Sequence, residues 1–585
     1  MLGWLFGKNK DTKPKYQASQ MDKDMAFYRA LSPAKQELYH LLEEIKQHTS
    51  IFDLWKAMVE NNDADLQRIL LSEIIPQCPP NLQEKIKRVG KGVAWAVEND
   101  IARAGMSTAT PAWDVLWLGW FDEQFGDGEA LLQFSGEGHL LTVAPTGAGK
   151  GQAHIIPTLL DYKGPVVVLD PKGENYRETA WFRRWCGDVY KWAPFDDETD
   201  AFNPLDYVET YDDARVLADL LVRSSAQGDP IWDSAAVNLV TGLMLYVKKT
   251  REPALQNMRE VCRLLAPSEE EYQEFLTSLK EMGDERMLEL ANRISRLPEK
   301  TRESVIFNLD THLDVWRSDE ITRATSETTP GFHPASIFLK QDTGDIYVSM
   351  NPDEAGPTLK AFQGQDGAVQ HAYVRGHGDS IFIVIPTDKI RTYAGVLRVI
   401  IGVILKEFSK AAAETEKETQ GERRDITTPT LFLLDELPQL GYMDVIENVI
   451  AIARSARIRL WLFAQDLVQL TGTYPKAGSL IANCRTKMFF KPGDPSTAQY
   501  ISGILGEVTS LTGEKTPLAT PQELMGPDYD DKQVVFARGA PPIKSRLRFK
   551  YADDELTQFE AQHRAYWEKQ PDRKELEGRI SNKGA

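Results

Sequence analysis

Lys150 ends a glycine-bearing turn, Ala144-Pro-Thr-Gly-Ala-Gly-Lys-Gly151, that follows a short apolar run from Leu140. A lysine there, with Thr146, Gly147, Ala148, Gly149 and Gly151 around it, is the layout of a phosphate-binding loop. Glycines let the backbone curl so that its N–H groups converge on an anion. The helix expected over Gln152–Leu160 adds its positive dipole end. Lys150 is then expected to reach the β- and γ-phosphates of a nucleoside triphosphate. Two positions depart from the usual pattern. Ala144 takes the place of the first glycine, and Gly151 replaces the Ser or Thr that normally binds Mg²⁺. From these residues alone, a nucleotide site competes with a Gly-rich turn between a core strand and a core helix.

The second chemical element lies far downstream. Thr430-Leu-Phe-Leu-Leu-Asp-Glu436 is an apolar strand ending in two acids. Asp435 suits a water-mediated Mg²⁺ contact, and Glu436 suits orienting or deprotonating an attacking water. Asp170 ends another apolar run, Val166–Leu169, and is expected beside the phosphates, because ligands of open parallel sheets sit at the carboxyl ends of the strands. An Asp-Pro turn explains Asp170 equally well. Gln465 ends a third run, Ile458–Ala464, where a polar side chain could sense the γ-phosphate or cap a helix. Arg459, with Arg454 and Arg457, supplies a candidate arginine finger acting across a subunit boundary. Together, the glycine loop and the distal acid pair point to a nucleoside triphosphatase.

The elements that must position these groups alternate as in an α/β fold. Residues 1–20 are polar and lysine-bearing, and a disordered start is expected. Residues 21–104 show three- and four-residue apolar spacing and predict an α-helical N-terminal domain. Residues 105–209 hold a β-rich lead-in and the first part of the nucleotide-binding domain. Strand signals then stop, and 210–326 predict an inserted all-α domain. Residues 327–378 read as an insertion or long β-hairpin loop. The second part of the nucleotide-binding domain spans 379–550, with a helix over Tyr393–Phe408 and a charged linker over Lys410–Asp425. Residues 551–585 predict a charged helical tail, either solvated or used for docking.

Composition narrows the function classes. The net charge of −18 argues against a chain that coats nucleic acid throughout, but it leaves room for a local basic channel. Four scattered cysteines lack metal-ligand spacing and read as buried thiols of a reducing compartment. The longest apolar runs, such as Val115–Phe121 and Met1–Phe6, fall short of a bilayer span. Met1–Phe6, followed by Lys8, Lys10, Lys13 and Lys15, could serve only as a weak interfacial anchor.

The chain resembles the TraG/TraD-like coupling ATPases of type IV secretion and conjugation, within the HerA/FtsK class of motors. The resemblance covers roughly residues 110–510. It rests on Ala144–Gly151 with Ile156-Pro-Thr-Leu-Leu160, on Val168–Asn175, Phe202-Asn-Pro-Leu205 and Phe382–Pro386. The long run Leu433–Gly441 through Ile458–Asp466 to Ala482-Asn-Cys484 adds most. It implies a RecA-like P-loop NTPase core with an inserted all-α domain facing the secretion substrate. It also implies ATP and Mg²⁺ as ligands, a homo-hexameric ring and a central channel. Lys150 and the backbone of Thr146–Gly151 would bind phosphates, Asp435 the metal, Glu436 the water, and Gln465 would take the sensing position. Glycine at 151 is itself family-like.

The implied function is ATP-driven recruitment and transfer of DNA–relaxase complexes or effector proteins through type IV secretion components. DNA, single- or double-stranded, would be gripped without sequence preference, and hydrolysis would be stimulated by DNA or a partner. Family members usually begin with transmembrane helices, and this chain shows none. The expected location is therefore cytoplasmic, or peripheral at the inner membrane. The alternative is a soluble HerA/FtsK-like DNA translocase in mobile-element handling or phage defence; a non-hydrolysing adaptor is the third reading. Gly151 leaves one question: Thr158, a water or Asp435 compensates at Mg²⁺, or the enzyme is intrinsically slow.

Overall fold

The computed structural model describes residues 95–96, 98–107, 115–122, 129–135, 138–222, 230–326, 331–334, 347–349, 359–363, 369–374, 378–418, 429–452, 457–509 and 515–568. The start expected to be disordered, most of the expected N-terminal helical domain and Arg454 lie outside these residues. Contacts divide the chain into two units. The larger holds the glycine loop, the acid pair and the chain's end.

Its strands, in chain order, are β1 (Leu116–Asp122), β2 (Glu129–Phe134), β3 (His139–Val143), β4 (Val166–Asp170), β5 (Val189–Trp192), β6 (Tyr347–Ser349), β7 (Leu359–Gln363), β8 (Val369–Val374), β9 (Ser380–Val384), β10 (Thr430–Leu434), β11 (Ile458–Ala464) and β12 (Cys484–Phe490). Seven of them form a parallel layer in the order β12-β3-β11-β10-β4-β9-β5. The reason is written in their composition. β3, β4, β9, β10 and β11 are predominantly apolar or β-branched and buried along their whole length. Only a sheet covered on both faces accommodates such runs.

Strand order matters more than strand number. β11 lies between β3 and β10, with Ala464 opposite Val143 and Leu462 opposite Leu434. The end of β11 therefore falls between the glycine loop after β3 and the acids after β10. Sequence order puts the end of β3 hundreds of residues before those of β10 and β11; sheet order puts all three side by side.

The helix after the loop differs from expectation. Gly151–Ile155 forms a π-helical turn, in which Ile156 N–H bonds back to the Gly151 carbonyl, and α-geometry begins only at Ile156. Such single wide turns recur at functional sites. A second difference concerns the expected linker. The helix Ala394–Glu418 runs well past Phe408, because Ala411-Ala-Ala-Glu-Thr-Glu-Lys-Glu418 is rich in strong helix formers and Ala411 and Ala412 are buried. The rest of that linker lies outside the described residues.

Among the described residues between 211 and 326 every regular element is helical, from Tyr211–Val222 to Asp319–Ser326. Asn257, Ser268 and Asp284 cap successive helices with their side chains, Ser268 in a reciprocal capping box with Glu271. Within Glu285–Ser295, the buried Met287, Leu290, Ala291 and Ile294 give the inward stripe that periodicity requires. Beyond it, β6, β8 and β7 make a small antiparallel sheet.

The final helix, Asp554–Trp567, is not a solvated appendage. Leu556 and Phe559 pack on Trp181 and Phe182 of the helix Glu174–Cys186. Lys550 reaches Glu178 and Glu560 at 2.7 and 2.6 Å.

The smaller unit includes residues 491–545. Asp494 caps its helix Pro495–Leu505, a short hairpin joins Glu507–Thr509 to Lys515–Pro517, and Ala96 N–H bonds to the Pro542 carbonyl.

Arg183 ties the edge of the parallel layer together. It is fully buried and donates to the carbonyls of Tyr162, Gly164 and Gly378 and to Ser380 Oγ. Those acceptors flank the starts of β4 and β9. Replacing Arg183 with Met leaves buried carbonyls unpaired, and should cost about 3–5 kcal/mol. Urea unfolding of the variant should show the lowered midpoint.

A candidate nucleotide site at the strand ends

Gly147 and Gly149 adopt φ of 80° and 81°, the left-handed region that glycine enters without steric cost. Two such residues within three curl the loop after β3. A Cβ at Gly149 would also lie 2.7 Å from the ring of Phe549. At Gly151 a Cβ would meet nothing within 4 Å. Glycine is thus sterically required at 149 and not at 151.

Lys150 projects from this turn to the acids after β10. Its Nζ lies 3.0 Å from Asp435 Oδ1 and bonds Glu436 Oε1. All three side chains are largely buried. Burial lowers the affinity of Lys150 for its proton, but the two carboxylates outweigh it and hold the ammonium above its usual range. Burial also raises Asp435, and Lys150 offsets that only in part. Burial pushes Glu436 the same way, yet Lys150 and two side-chain amides overcome it, so Glu436 stays below the usual carboxylate range.

Those amides belong to Gln465 and Gln439. Gln465 Nε2 donates to Glu436 Oε2 at 2.8 Å, and Gln439 Nε2 to the same oxygen at 3.0 Å. Gln469 in turn donates to Gln465 Oε1 at 3.3 Å. Glu436 itself sits at φ 55°, uncommon for a residue with a Cβ. That conformation closes the strand and starts the short 3₁₀ turn Leu437–Leu440, which carries Gln439. Strain of this kind persists where surrounding contacts over-determine it.

The structure therefore brings Lys150, Asp435, Glu436 and Gln465 together, with Thr146, Gly147, Ala148, Gly149 and Gly151 forming the loop beside them. Gln439 was not singled out from sequence. Its signal was positional: three residues after Glu436, one turn of a 3₁₀ helix returns its side chain to the acid.

The arginine-finger expectation needs correction. Arg459 is 1% exposed, and its guanidinium lies 5.2 Å over the Phe134 ring. An arginine held in that interior contact does not reach a neighbouring subunit as a finger. β11 is buried along its whole length, so neither of its faces would put Arg459 at the surface. Arg457 has φ 49°, and its carbonyl accepts the Thr430 amide, so its backbone closes the turn before β11. Asp170, 1% exposed, accepts the Tyr176 amide at 2.8 Å and so serves the start of the following helix. It lies close enough to Asp435 for the two charges to interact.

Could these residues hold Mg²⁺? Among the described residues no group of three metal-ligating side chains converges. Mg²⁺ bound to a nucleotide needs none; one carboxylate, water and phosphate oxygens suffice. Asp435 at a strand end beside Lys150 fits that donor set. Thr158 does not: seven residues beyond Gly151, it stands roughly 10 Å along the helix.

Comparison with known proteins agrees with this geometry. A family model described as type IV secretory system conjugative DNA transfer matches residues 94–360 and 373–574. The protein VirD4 of Rhizobium rhizogenes is 26% identical over 479 residues, covering 76% of this chain and 62% of VirD4. The chain thus spans about three fifths of the VirD4 relatives it matches. A conjugal transfer protein TraG of Escherichia coli is 24% identical over 528 residues, covering 78% of this chain and 76% of TraG. Among solved structures, the plasmid coupling protein TrwB in complex with the ATP analogue ADPNP superposes with a TM-score of 0.54 at 17% identity. That match covers 79% of this chain and 94% of TrwB. No helix among the described residues is long and apolar enough to cross a membrane.

Burial raises Asp170 to about 6, although the Tyr176 amide and others partly oppose it. An unfolded Asp ionises near 3.8, before the folded one. The stability that Asp170 contributes is thus fully present below about pH 4 and lost as pH rises through about 6. Asp170→Asn should remove that loss while keeping an acceptor for Tyr176. Chemical denaturation at stepped pH should show the variant gaining on the wild type between pH 4 and 6.5. The parallel layer, the loop, the acid pair and the matched residues lead to one conclusion: this chain belongs to the type IV secretory system conjugative DNA transfer family.

Proposed function

We propose that the chain is an ATP-driven coupling protein, which recruits DNA–relaxase complexes or effector proteins to a type IV secretion apparatus and powers their transfer. One observation carries the ATPase part of this reading: Lys150 of the glycine loop shares its charge between Asp435 and Glu436, and Gln465 holds Glu436 from the intervening strand. Family membership and the coupling role in the names of related proteins support the rest. TrwB has also been captured with ADP and Mg²⁺, which supports the same ligands here.

The mechanism follows from the residues. The loop N–H groups and Lys150 receive the β- and γ-phosphates. A triphosphate carries the same sign of charge as Asp435 and Glu436 and competes with them for the one ammonium. Lys150 moving onto phosphate frees Asp435 for the metal and Glu436 for water. Mg²⁺, when bound, neutralises charge on the phosphate oxygens. Glu436, still held by the amides of Gln465 and Gln439, orients the attacking water. Gln465 touches Glu436 and leads directly into the helix Leu467–Thr473, so it couples the acid's position to that helix. The ring is a homo-hexamer at the cytoplasmic side of the inner membrane. DNA passes its channel gripped by the backbone, so binding weakens steeply with salt.

Lys150→Ala should abolish binding of ATP. Glu436→Gln should keep ATP bound and lower turnover by about 10²-fold or more. Phosphate release by Glu436→Gln at the wild-type rate removes its assigned role. DNA-stimulated phosphate release by the wild type separates a motor from an adaptor. Gly151→Ser is a test in the opposite direction. The site has room for the side chain, and a hydroxyl there would add a metal ligand. Mg²⁺ should then be needed at lower concentration for half-maximal nucleotide binding, with no loss of thermal stability.

A further inference from the structure

The segment Leu547-Arg-Phe-Lys-Tyr551 returns to the glycine loop from the far end of the chain, and neither the motifs nor the mechanism uses it. Its alternation is instructive. Leu547 is buried with Ala144, Ala153 and Phe490, and Phe549 packs on that cluster together with Ala148. Arg548 is buried between Asp161 and Asp553, at 2.5 Å from each. Lys550 turns inward to Glu178 and Glu560. Asp161 ends the helix that begins at the glycine loop. The segment is therefore bolted to the same helix that carries the loop.

What these bolts present is a pair of rings. Phe549 lies edge-on against Gly149, close enough that a Cβ there would approach it to 2.7 Å. Tyr551 stacks on Phe549, with centroids 5.2 Å apart and planes 18° from parallel. Yet Tyr551 is 67% exposed. A pair built only for packing would bury both rings. Here the inner ring touches the phosphate loop, and the outer ring keeps its surface open to solvent. The outer ring thus lies within reach of a nucleoside whose phosphates occupy the loop.

We propose that Phe549 and Tyr551 form the shelf on which the base of the bound nucleotide stacks, with Phe549 as the fixed backing and Tyr551 as the contact surface. The proposal rests on the nucleotide reading above. Its ligand class is a nucleoside triphosphate. Stacking uses the face of the base rather than its edge, so this shelf favours bases in general without choosing between adenine and guanine. It also explains why position 149 must lack a side chain beyond its backbone angle: a methyl group there would push the inner ring away.

The test uses the full chain, a fluorescent ATP analogue as probe, and ATP and inorganic tripolyphosphate as competitors. Tyr551→Ala should weaken ATP about ten-fold and leave tripolyphosphate unchanged, and Tyr551→Phe should restore ATP binding. Phe549→Leu, which keeps apolar packing, should also weaken ATP selectively. Unchanged ATP affinity in both Tyr551→Ala and Phe549→Leu overturns the shelf, as does equal weakening of tripolyphosphate. Lys150→Ala separates the two levels of the proposal. Loss of both competitors in that variant upholds the phosphate site whatever Tyr551 does. A wild type that binds neither competitor overturns the nucleotide reading and the shelf with it.

Discussion

Everything at the site depends on one charge sharing. Lys150 and Glu436 are 286 positions apart, yet their side chains bond, with Asp435 3.0 Å from the same ammonium. Three charges in a largely buried space are tolerable only as a set. Removing one partner from a buried pair leaves an uncompensated charge, at a cost of about 3–5 kcal/mol. The sheet order makes the set, because β11 spaces the loop strand and the acid strand by a single strand and contributes Gln465 from its own end.

Around that set, the fold puts rigid elements where the chemistry needs accuracy. β3, β10 and β11 are buried along their whole length, so their ends move little relative to one another. The left-handed Glu436 and the 3₁₀ turn behind it aim two amides at one carboxylate oxygen. On the opposite side of the loop, the chain's end is fastened by Arg548 and Lys550 to helices of the same layer. The site is walled from both directions by segments remote in sequence.

Much of this was legible in the residues. The apolar runs of β4, β9, β10 and β11 carry their own strand signal, and the glycine loop and Asp435-Glu436 announce their chemistry by residue type. Helical stripes such as Met287, Leu290 and Ile294 were equally plain. The misreadings have physical causes. Lys410–Asp425 looked like a linker because its charges hid a run of strong helix formers with two buried alanines. Arg459 looked available because most arginines are at surfaces, whereas both faces of its strand are covered and its guanidinium lies over Phe134. The last helix could be read as solvated or docked, because its charges outnumber its aromatics; Leu556 and Phe559 find an apolar partner in Trp181 and Phe182.

The sequence by itself determined the local alphabet: which runs become strands, where the loop can curl, and which side chains are able to bind phosphate or activate water. These depend on neighbours along the chain. Only the tertiary structure decided that Gln465 reaches Glu436, that Arg459 is interior, and that Phe549, with Tyr551 stacked on it, stands beside Gly149. Each of these is a contact between segments whose spacing in sequence carries no information about distance. They are set by strand order and by the packing of buried ion pairs, and those forces act across the fold rather than along the chain.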